Sequence, residues 1–403
     1  MDSDSLAALV AESGLRRVHL VSWRDLDDDE AGGSEVHASN VAKRWVAAGL
    51  DVTLRTSFSV GRPKVDVRDG FRVVRRADRY TVFPRAAVSE ALRRTGPWDA
   101  FVEIWNGMPF FSPLFTFGKP SAVWLHHMHA DMWHQTFASR PAIGRAGFTL
   151  ETRIAPRLYR GKRIVTLSES SKQELVHEMG FHADRVDVVP PGIDARFTAG
   201  DTPKSPVPLV VAMGRLVPVK RYDVLIRVLA EVKKTHPALQ AVIASEGYER
   251  PALEALRRSL GADDWISLPG WISDDDLVDL YRRAWVLTST SLREGWHMGI
   301  TEAAACGTPA IATDIAGHRD AIADGVSGLL ATDERDFAAK LAHVLGDDAL
   351  RASLTSGALE RASRFTWDAT ALGTFRPLAE EAARLRERQK SRAARSARRQ
   401  TPR

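Results

Sequence analysis

The sequence predicts an α/β protein built as two domains. Three observations carry that expectation. The chain has 403 residues, too many for one ordinary hydrophobic core. Short apolar runs alternate with amphipathic runs of helical period in both halves, which is the pattern of successive βα units. Between the halves lies TAGDTPKSPVP, residues 198–208, a Pro-, Ser- and Gly-containing connector read as the linker. The expected domains are therefore residues 1–197 and 209–365. No segment of 20 to 50 residues repeats along the chain.

Composition narrows the function classes. A hydrophobic fraction of 44% and a charged fraction of 27% are globular values. The one cysteine, Cys306, excludes a disulfide framework and a thiolate-rich zinc site. No run approaches the ~20 apolar residues of a membrane span. The N-terminal MDSDSLAALVAESG has no basic region ahead of its apolar residues, so a signal peptide is not expected and a cytoplasmic protein is. A net charge of +5 points to an anionic partner: a nucleotide, an acidic lipid or nucleic acid. Much of the excess lies at the C-terminus, where residues 389–403 read as a disordered basic tail.

The first half opens with a strand over 16–22 and an acidic loop. Ala31-Gly32-Gly33-Ser34 then leads into a helix from about Glu35 to Ala48, with Val36, Val41, Trp45 and Val46 as its buried stripe. Gly32 and Gly33 form a glycine turn but not a dinucleotide fingerprint; the plainer reading is a helix start with Ser34 as cap. Strands are expected over 52–56, 71–75, 100–105 and 121–125, and a helix over 89–94. Arg68, Arg72, Arg75, Arg76, Arg79 and Arg85 lie near the apolar run 109–115. They read either as a docking face for an acidic membrane or as a solvated face beside a buried connector. The strand 121–125 ends in His126-His127-Met128-His129-Ala130-Asp131, whose two-His-plus-carboxylate spacing is a weak zinc candidate. A strand over 161–168, a helix over 171–179 and Val186 to Asp194 complete the half.

The second half begins with a strand over 209–213, then Gly214-Arg215 and Lys220, then a helix over 222–234. Strand, glycine, two spaced cations and helix form a cradle for a diphosphate without a metal. A strand over 240–245 leads to a turn with Gly247. A strand over 265–268 is followed by Gly270-Trp271-Ile272, a helix over 274–283 and a strand over 284–288. Then comes REGWHMGITEAAACGTPAIATDIAGHRD, residues 293–320. Glu294 and Glu302 lie eight positions apart, with Gly295 and Gly299 between them. A small-residue helix, a buried strand over 310–313 and a second glycine turn at Gly317 follow. Such loops gather at the carboxyl ends of strands, where open α/β sheets bind ligands.

This last run resembles the donor-site signature of the family 4 glycosyltransferases, group 1, retaining enzymes that use nucleotide sugars. The resemblance implies the GT-B fold: two Rossmann-like β/α/β domains facing each other across a cleft, with a C-terminal helix, about 366–388, crossing back to the first domain. It implies that Glu294 reaches the transferred sugar and Glu302 the ribose. Arg215 and Lys220 fall on the diphosphate cations, Gly32 and Gly33 on the first glycine loop, Trp271 and Ile272 on the base-gripping loop, and His126, or else His127, on the histidine near the reacting sugar carbon. The family usually has a Phe-Gly-Leu-like run after Glu-Gly; this chain has Trp296-His297-Met298, whose amides are expected to meet the sugar hydroxyls. The implied catalytic set is His126, Glu294, Arg215 and Lys220. The implied donor set is Gly32, Gly33, Gly214, Arg215, Lys220, Gly247, Trp271, Ile272, Glu294 to Gly299, and Glu302. No cofactor and no metal are expected beyond a nucleotide diphosphate sugar as co-substrate. The acceptor would be a sugar, a glycan or a lipid-linked molecule, in cell-envelope or glycoconjugate synthesis at the inner face of the membrane. A GT-B sugar-nucleotide epimerase is one alternative. Another is a basic protein that binds nucleic acid or membrane, although no nucleic-acid partner is expected.

Overall fold

The computed structural model describes residues 3–126, 133 and 140–400. Its chain divides into two compact units, Met1–Pro190 with Trp367–Arg403, and Pro191–Thr366.

The first unit is organised on an eight-stranded sheet: β1 Arg17–Val21, β2 Asp51–Thr56, β3 Val65–Arg68, β4 Phe71–Arg75, β5 Ala100–Trp105, β6 Ser121–Leu125, β7 Arg163–Thr166 and β8 Val186–Val188. The strand order is β3-β4-β2-β1-β5-β6-β7-β8, and each pair is parallel except β3 with β4. Strands β5 and β6 are buried along their whole length, as expected of parallel strands covered on both faces. Helices α1 Ser3–Ser13, α2 Gly33–Ala47, α3 Val82–Ala91, α4 Pro141–Thr149, α5 Ala155–Tyr159 and α6 Glu169–Met179 belong to this unit. The apolar edge of α2 is Ala38, Val41, Ala42 and Trp45, while Val36 and Val46 are only half-buried. Trp45 lies edge-on to Trp124 and Phe375, and its indole N–H donates to the Ala371 carbonyl.

The C-terminal helix, Trp367–Gln400, packs on α1, α2 and β6 within this unit. It continues through most of the stretch expected to be a disordered tail. Ala, Arg, Gln and Lys are strong helix formers, and that stretch has neither Gly nor Pro before Pro402 to stop the helix.

Half of the expected basic face, three of its six arginines, is neutralised. Arg75 is fully buried and pairs with Asp25 and Asp27, Arg68 pairs with Asp27, and Arg79 pairs with Glu30. The apolar run 109–115 is a tethered connector. The buried Glu103 carboxylate accepts the Phe110 and Ser112 amides at 2.6 and 3.0 Å and the Tyr159 hydroxyl at 2.7 Å, and the Phe110 ring is buried.

The second unit has a six-stranded parallel sheet: β9 Leu209–Met213, β10 Gln240–Ala244, β11 Ile266–Gly270, β12 Val286–Ser289, β13 Ala310–Thr313 and β14 Gly328–Ala331, in the order β11-β10-β9-β12-β13-β14. Its helices are α7 Tyr222–Lys233, α8 Arg250–Ser259, α9 Asp274–Arg283, α10 Met298–Ala305, α11 His318–Ala321, α12 Glu334–Gly346 and α13 Asp348–Ala362. The core places Leu225, Ile226 and Leu229 of α7 and Leu341 and Val344 of α12 with Val210, Ile243, Val286 and Ile311 of the strands.

Residues 191–208 belong to this unit, so the change of unit falls between Pro190 and Pro191 rather than across 198–208. The polar connector is bonded down. The Lys204 ammonium donates to the carbonyls of Ala284 and Gly307 at 2.7 and 2.9 Å and to the Thr308 hydroxyl at 2.6 Å. The Ser205 amide donates to Arg283 O, and the Trp285 indole N–H donates to Ser205 O. A polar composition read as a linker is here the set of groups that satisfies loop carbonyls. Burial lowers the Lys204 ammonium to a pKa of about 8.

Candidate active site

In the second unit the strand order runs outward from β9 to β10 and β11 on one side and from β12 to β13 and β14 on the other. The reversal between β9 and β12 is a topological switch point, where ligands sit outside the carboxyl ends of the strands. Two loops leave the sheet there, 214–221 after β9 and 290–297 after β12, and they are stitched together. The Leu292 amide donates to Val219 O at 2.8 Å, and the Thr290 hydroxyl donates to the carbonyls of Lys220 and Arg221.

That stitching brings Lys220 to Glu294, whose Nζ and Oε1 lie 2.5 Å apart. The Ser291 hydroxyl donates to the same oxygen at 2.8 Å. Burial pushes the Glu294 carboxyl up, but the Lys220 charge and its hydrogen bond outweigh this and hold it well below the usual carboxylate range. Behind the pair, His318 Nδ1 lies 2.8 Å from Thr313 O, and His318 Nε2 lies 3.2 Å from the Ser289 hydroxyl. With Nδ1–H donating to the carbonyl, Nε2 is left as an acceptor.

Two glycines are needed for close approach. A Cβ on Gly317 would lie 2.5 Å from Glu294 O, and the residue has φ +82, so no L side chain fits. A Cβ on Gly247 would lie 2.3 Å from Leu216 O, in the turn where Leu216 N donates to Glu246 O. Gly214 O accepts the Tyr222 hydroxyl at 2.8 Å, which fixes the start of the cation loop against α7.

The departure Trp296-His297-Met298 resolves into three different placements. The Trp296 indole turns inward, 3% exposed and edge-on to Phe365 at 5.0 Å. Met298 opens α10. His297 sits just before it at φ 70, ψ 81, the left-handed region that glycine adopts freely and that costs other residues about 1–3 kcal/mol. Its imidazole is largely buried 5.6 Å, centroid to centroid, from that of His318. Burial, then the Lys220 charge, lower His297 to a pKa of about 3; burial also lowers His318. Gly295 is buried in the loop and Gly299 in the first turn of α10.

Glu302 lies on α10 while Glu294 lies in the loop ahead of it. Burial raises the Glu302 carboxyl to a pKa of about 7, assisted by Asp194 and Asp274; Arg196, which pairs with both aspartates, opposes the rise. Arg215 is exposed on the cation loop, Trp271 is 61% exposed, and Ile272 is half-buried.

In the first unit, Gly32 is the N-cap of α2, and its amide donates to Glu35 Oε2 at 2.8 Å. Ser34 is not the cap; its hydroxyl accepts from Asn106 Nδ2. Gly33 is the first residue of the helix. His126 follows the last residue of β6 and is buried. Its ring lies 4.9 Å from that of His37, at 72°. His37 is 1% exposed, lies among Trp124, Trp367 and His126, and among the described residues has no hydrogen-bond partner at either ring nitrogen. Burial lowers it to a pKa of about 3. His127, His129 and Asp131 fall outside the described residues.

Sequence reasoning missed His37, Ser291 and His318. His318 stands in the Gly317 turn and could have been noted; nothing local marks the other two.

Comparison with known proteins follows the division of the chain. A model described as glycosyltransferase family 4 matches residues 31–197, and one described as glycosyl transferases group 1 matches residues 198–361. A D-inositol 3-phosphate glycosyltransferase of Acidothermus cellulolyticus is 35% identical over 237 residues, which are 53% of this chain and 53% of that protein. The match thus spans about half the length of that relative. The sucrose-phosphate synthase of Thermosynechococcus elongatus superposes with a TM-score of 0.75 at 18% identity, covering 93% of this chain and 99% of that one. Anabaena HepE, in complex with UDP and glucose, superposes at 0.67 and 16% identity, covering 93% and 100%. With one of the two models on each half and these folds over nearly the full length, the chain belongs to the family 4, group 1 glycosyltransferases and has the GT-B fold.

Proposed function

We propose that the chain transfers a sugar from a nucleotide diphosphate sugar, UDP- or GDP-linked, to a hydroxyl of a sugar, glycan or lipid-linked acceptor, with retention and without a metal. The observation that carries this reading is the Lys220–Glu294 pair at the switch point, beside a glycine turn that opens a helix. The Glu294 carboxylate neutralises the Lys220 ammonium. An arriving diphosphate offers Lys220 a second anion, with Arg215 and the amides of the loop alongside, and Glu294 is then available to the sugar hydroxyls. UDP in the complex of the Anabaena protein supports the donor class. The relative's name supports a phosphorylated polyol among the acceptors to be tried.

In the proposed mechanism the bond from the anomeric carbon to the diphosphate oxygen breaks first. The negative charge collects on the diphosphate held by Arg215 and Lys220. That same oxygen takes the proton of the acceptor hydroxyl as the new bond forms on the face the diphosphate leaves. Glu294 orients the sugar, His126 has the role the family resemblance implies, and Glu302 holds the ribose. Positioning and preorganised charge supply most of such an acceleration. The deciding measurement is the anomeric configuration of the product by NMR: an α-linked product from an α-linked donor is expected, and a β-linked product overturns the proposed role of the leaving oxygen. Activity that survives exhaustive chelation is the second expectation; activity lost to chelator and restored by Mg²⁺ defeats metal independence.

A further inference from the structure

We infer that Glu294, His297 and His318 form a binding site for a borderline divalent metal ion of the zinc class, and that the ion excludes the donor sugar rather than assisting the reaction. One ligand atom from each residue lies within 4.8 Å of the others, and no other His, Cys, Asp and Glu group of that kind occurs among the described residues. Two imidazoles and one carboxylate are a donor set zinc accepts, leaving a fourth position open.

Each ligand is prepared differently. His318 is oriented through Nδ1 by the Thr313 carbonyl at 2.8 Å, which leaves Nε2, 3.2 Å from the Ser289 hydroxyl, as the ligand atom; such an outer partner is what fixes a metal-binding imidazole. His297 is held by the left-handed turn at the start of α10, with its ring beside that of His318. Glu294 takes Lys220 and Ser291 on Oε1, and neither of these reaches Oε2. Ligand atoms around a tetrahedral zinc stand about 3.3 Å apart, as follows from bonds of about 2.0–2.1 Å.

Metal binding itself stands apart from the reading of function; only the competition with donor rests on that reading. A metal on Glu294 occupies the group assigned to the sugar hydroxyls, so metal and donor sugar compete for the same carboxylate.

The test uses the full chain and Co²⁺ as probe. Titration should give one equivalent of visible tetrahedral absorption, removed by Zn²⁺. His297→Gly, which suits the local backbone, and His318→Gln should each weaken Co²⁺ binding at least tenfold. His127→Gln/His129→Gln should leave it unchanged. Bands that persist in both His297→Gly and His318→Gln, bands lost in the His127/His129 variant, or no one-equivalent binding at all would each overturn the site. With the site in place, Zn²⁺ should raise the apparent KM for donor in the parent and not in His297→Gly. Bands that remain when donor is saturating would overturn the competition while leaving the site.

Discussion

In the first unit, His126 and His37 lie ring to ring beside Trp124, and neither nitrogen of His37 makes a hydrogen bond among the described residues. In the second, Glu294 and Lys220 form a charged pair braced by Ser291. His37 is fully buried and the Lys220–Glu294 pair mostly so, yet the two places hold their polar groups by opposite means. Where no counter-charge is supplied, burial wins and His37 stays neutral far below its ordinary range. Where one is supplied, the opposite charge overcomes the same burial and Glu294 stays ionised. The difference teaches which group can respond to an anion: Lys220 has a partner to exchange, whereas His37 offers bulk and shape.

Removing the charge should break this contrast most strongly. Glu294→Ala leaves a partly buried ammonium unpaired and removes the group assigned to the sugar, so turnover should fall about 10²–10³-fold. Nucleotide diphosphate affinity, measured calorimetrically, should change much less. An equal loss in both quantities would place Glu294 at the diphosphate instead. Lys220→Ala comes next. Loss of one charge-assisted bond of about 1.5–3 kcal/mol corresponds to roughly ten- to a hundredfold weaker nucleotide diphosphate binding. Parent-like affinity would mean that the cation loop is not the diphosphate cradle.

Glu302 lies between these extremes, a buried carboxyl with aspartates near it and a pKa raised to about 7. Its ionised form is the better acceptor for ribose hydroxyls, so nucleotide affinity should rise up to about tenfold between pH 6 and pH 8 and be flat in Glu302→Gln. The sign for stability is opposite. Between the unfolded value near 4.5 and about 7, the folded chain holds the extra proton, so stability falls as pH rises across that window. Glu302→Gln should therefore raise Tm at pH 8 and not at pH 4.5. The smallest effect is expected at His37. Its nitrogens have no hydrogen-bond partners among the described residues, so His37→Phe should shift stability by less than about 1 kcal/mol in denaturant titration. A larger loss would show that the ring carries more than shape.

Much of both sheets was legible because buried parallel strands are apolar over short runs. The readings at 100–105, 121–125, 209–213 and 310–313 coincide with β5, β6, β9 and β13. The helix over 274–283 was marked by its acidic first turn and coincides with α9. The cation loop and the Glu294 stretch were legible because glycine turns, spaced charges and helix starts are local patterns.

Other features depended on partners distant in sequence. Strand β3 reads VDVR, and as an edge strand half-open to solvent it lacks an apolar run; only its pairing with β4 makes it a strand. Lys204 reads as linker by composition, and only the carbonyls of Ala284 and Gly307 beside it make it a tether. Gly317 looked like any turn glycine until the Glu294 backbone came within reach of its absent Cβ. The sequence alone determined the alternation of elements, the glycine turns and which residue types stand at the loop ends, because these follow from near-neighbour propensity and period. Tertiary structure alone decided that Lys220 meets Glu294, that His318 stands behind them and that His37 lies against His126. Such meetings depend on sheet order and on how the loops leaving it are stitched together, which no local pattern encodes.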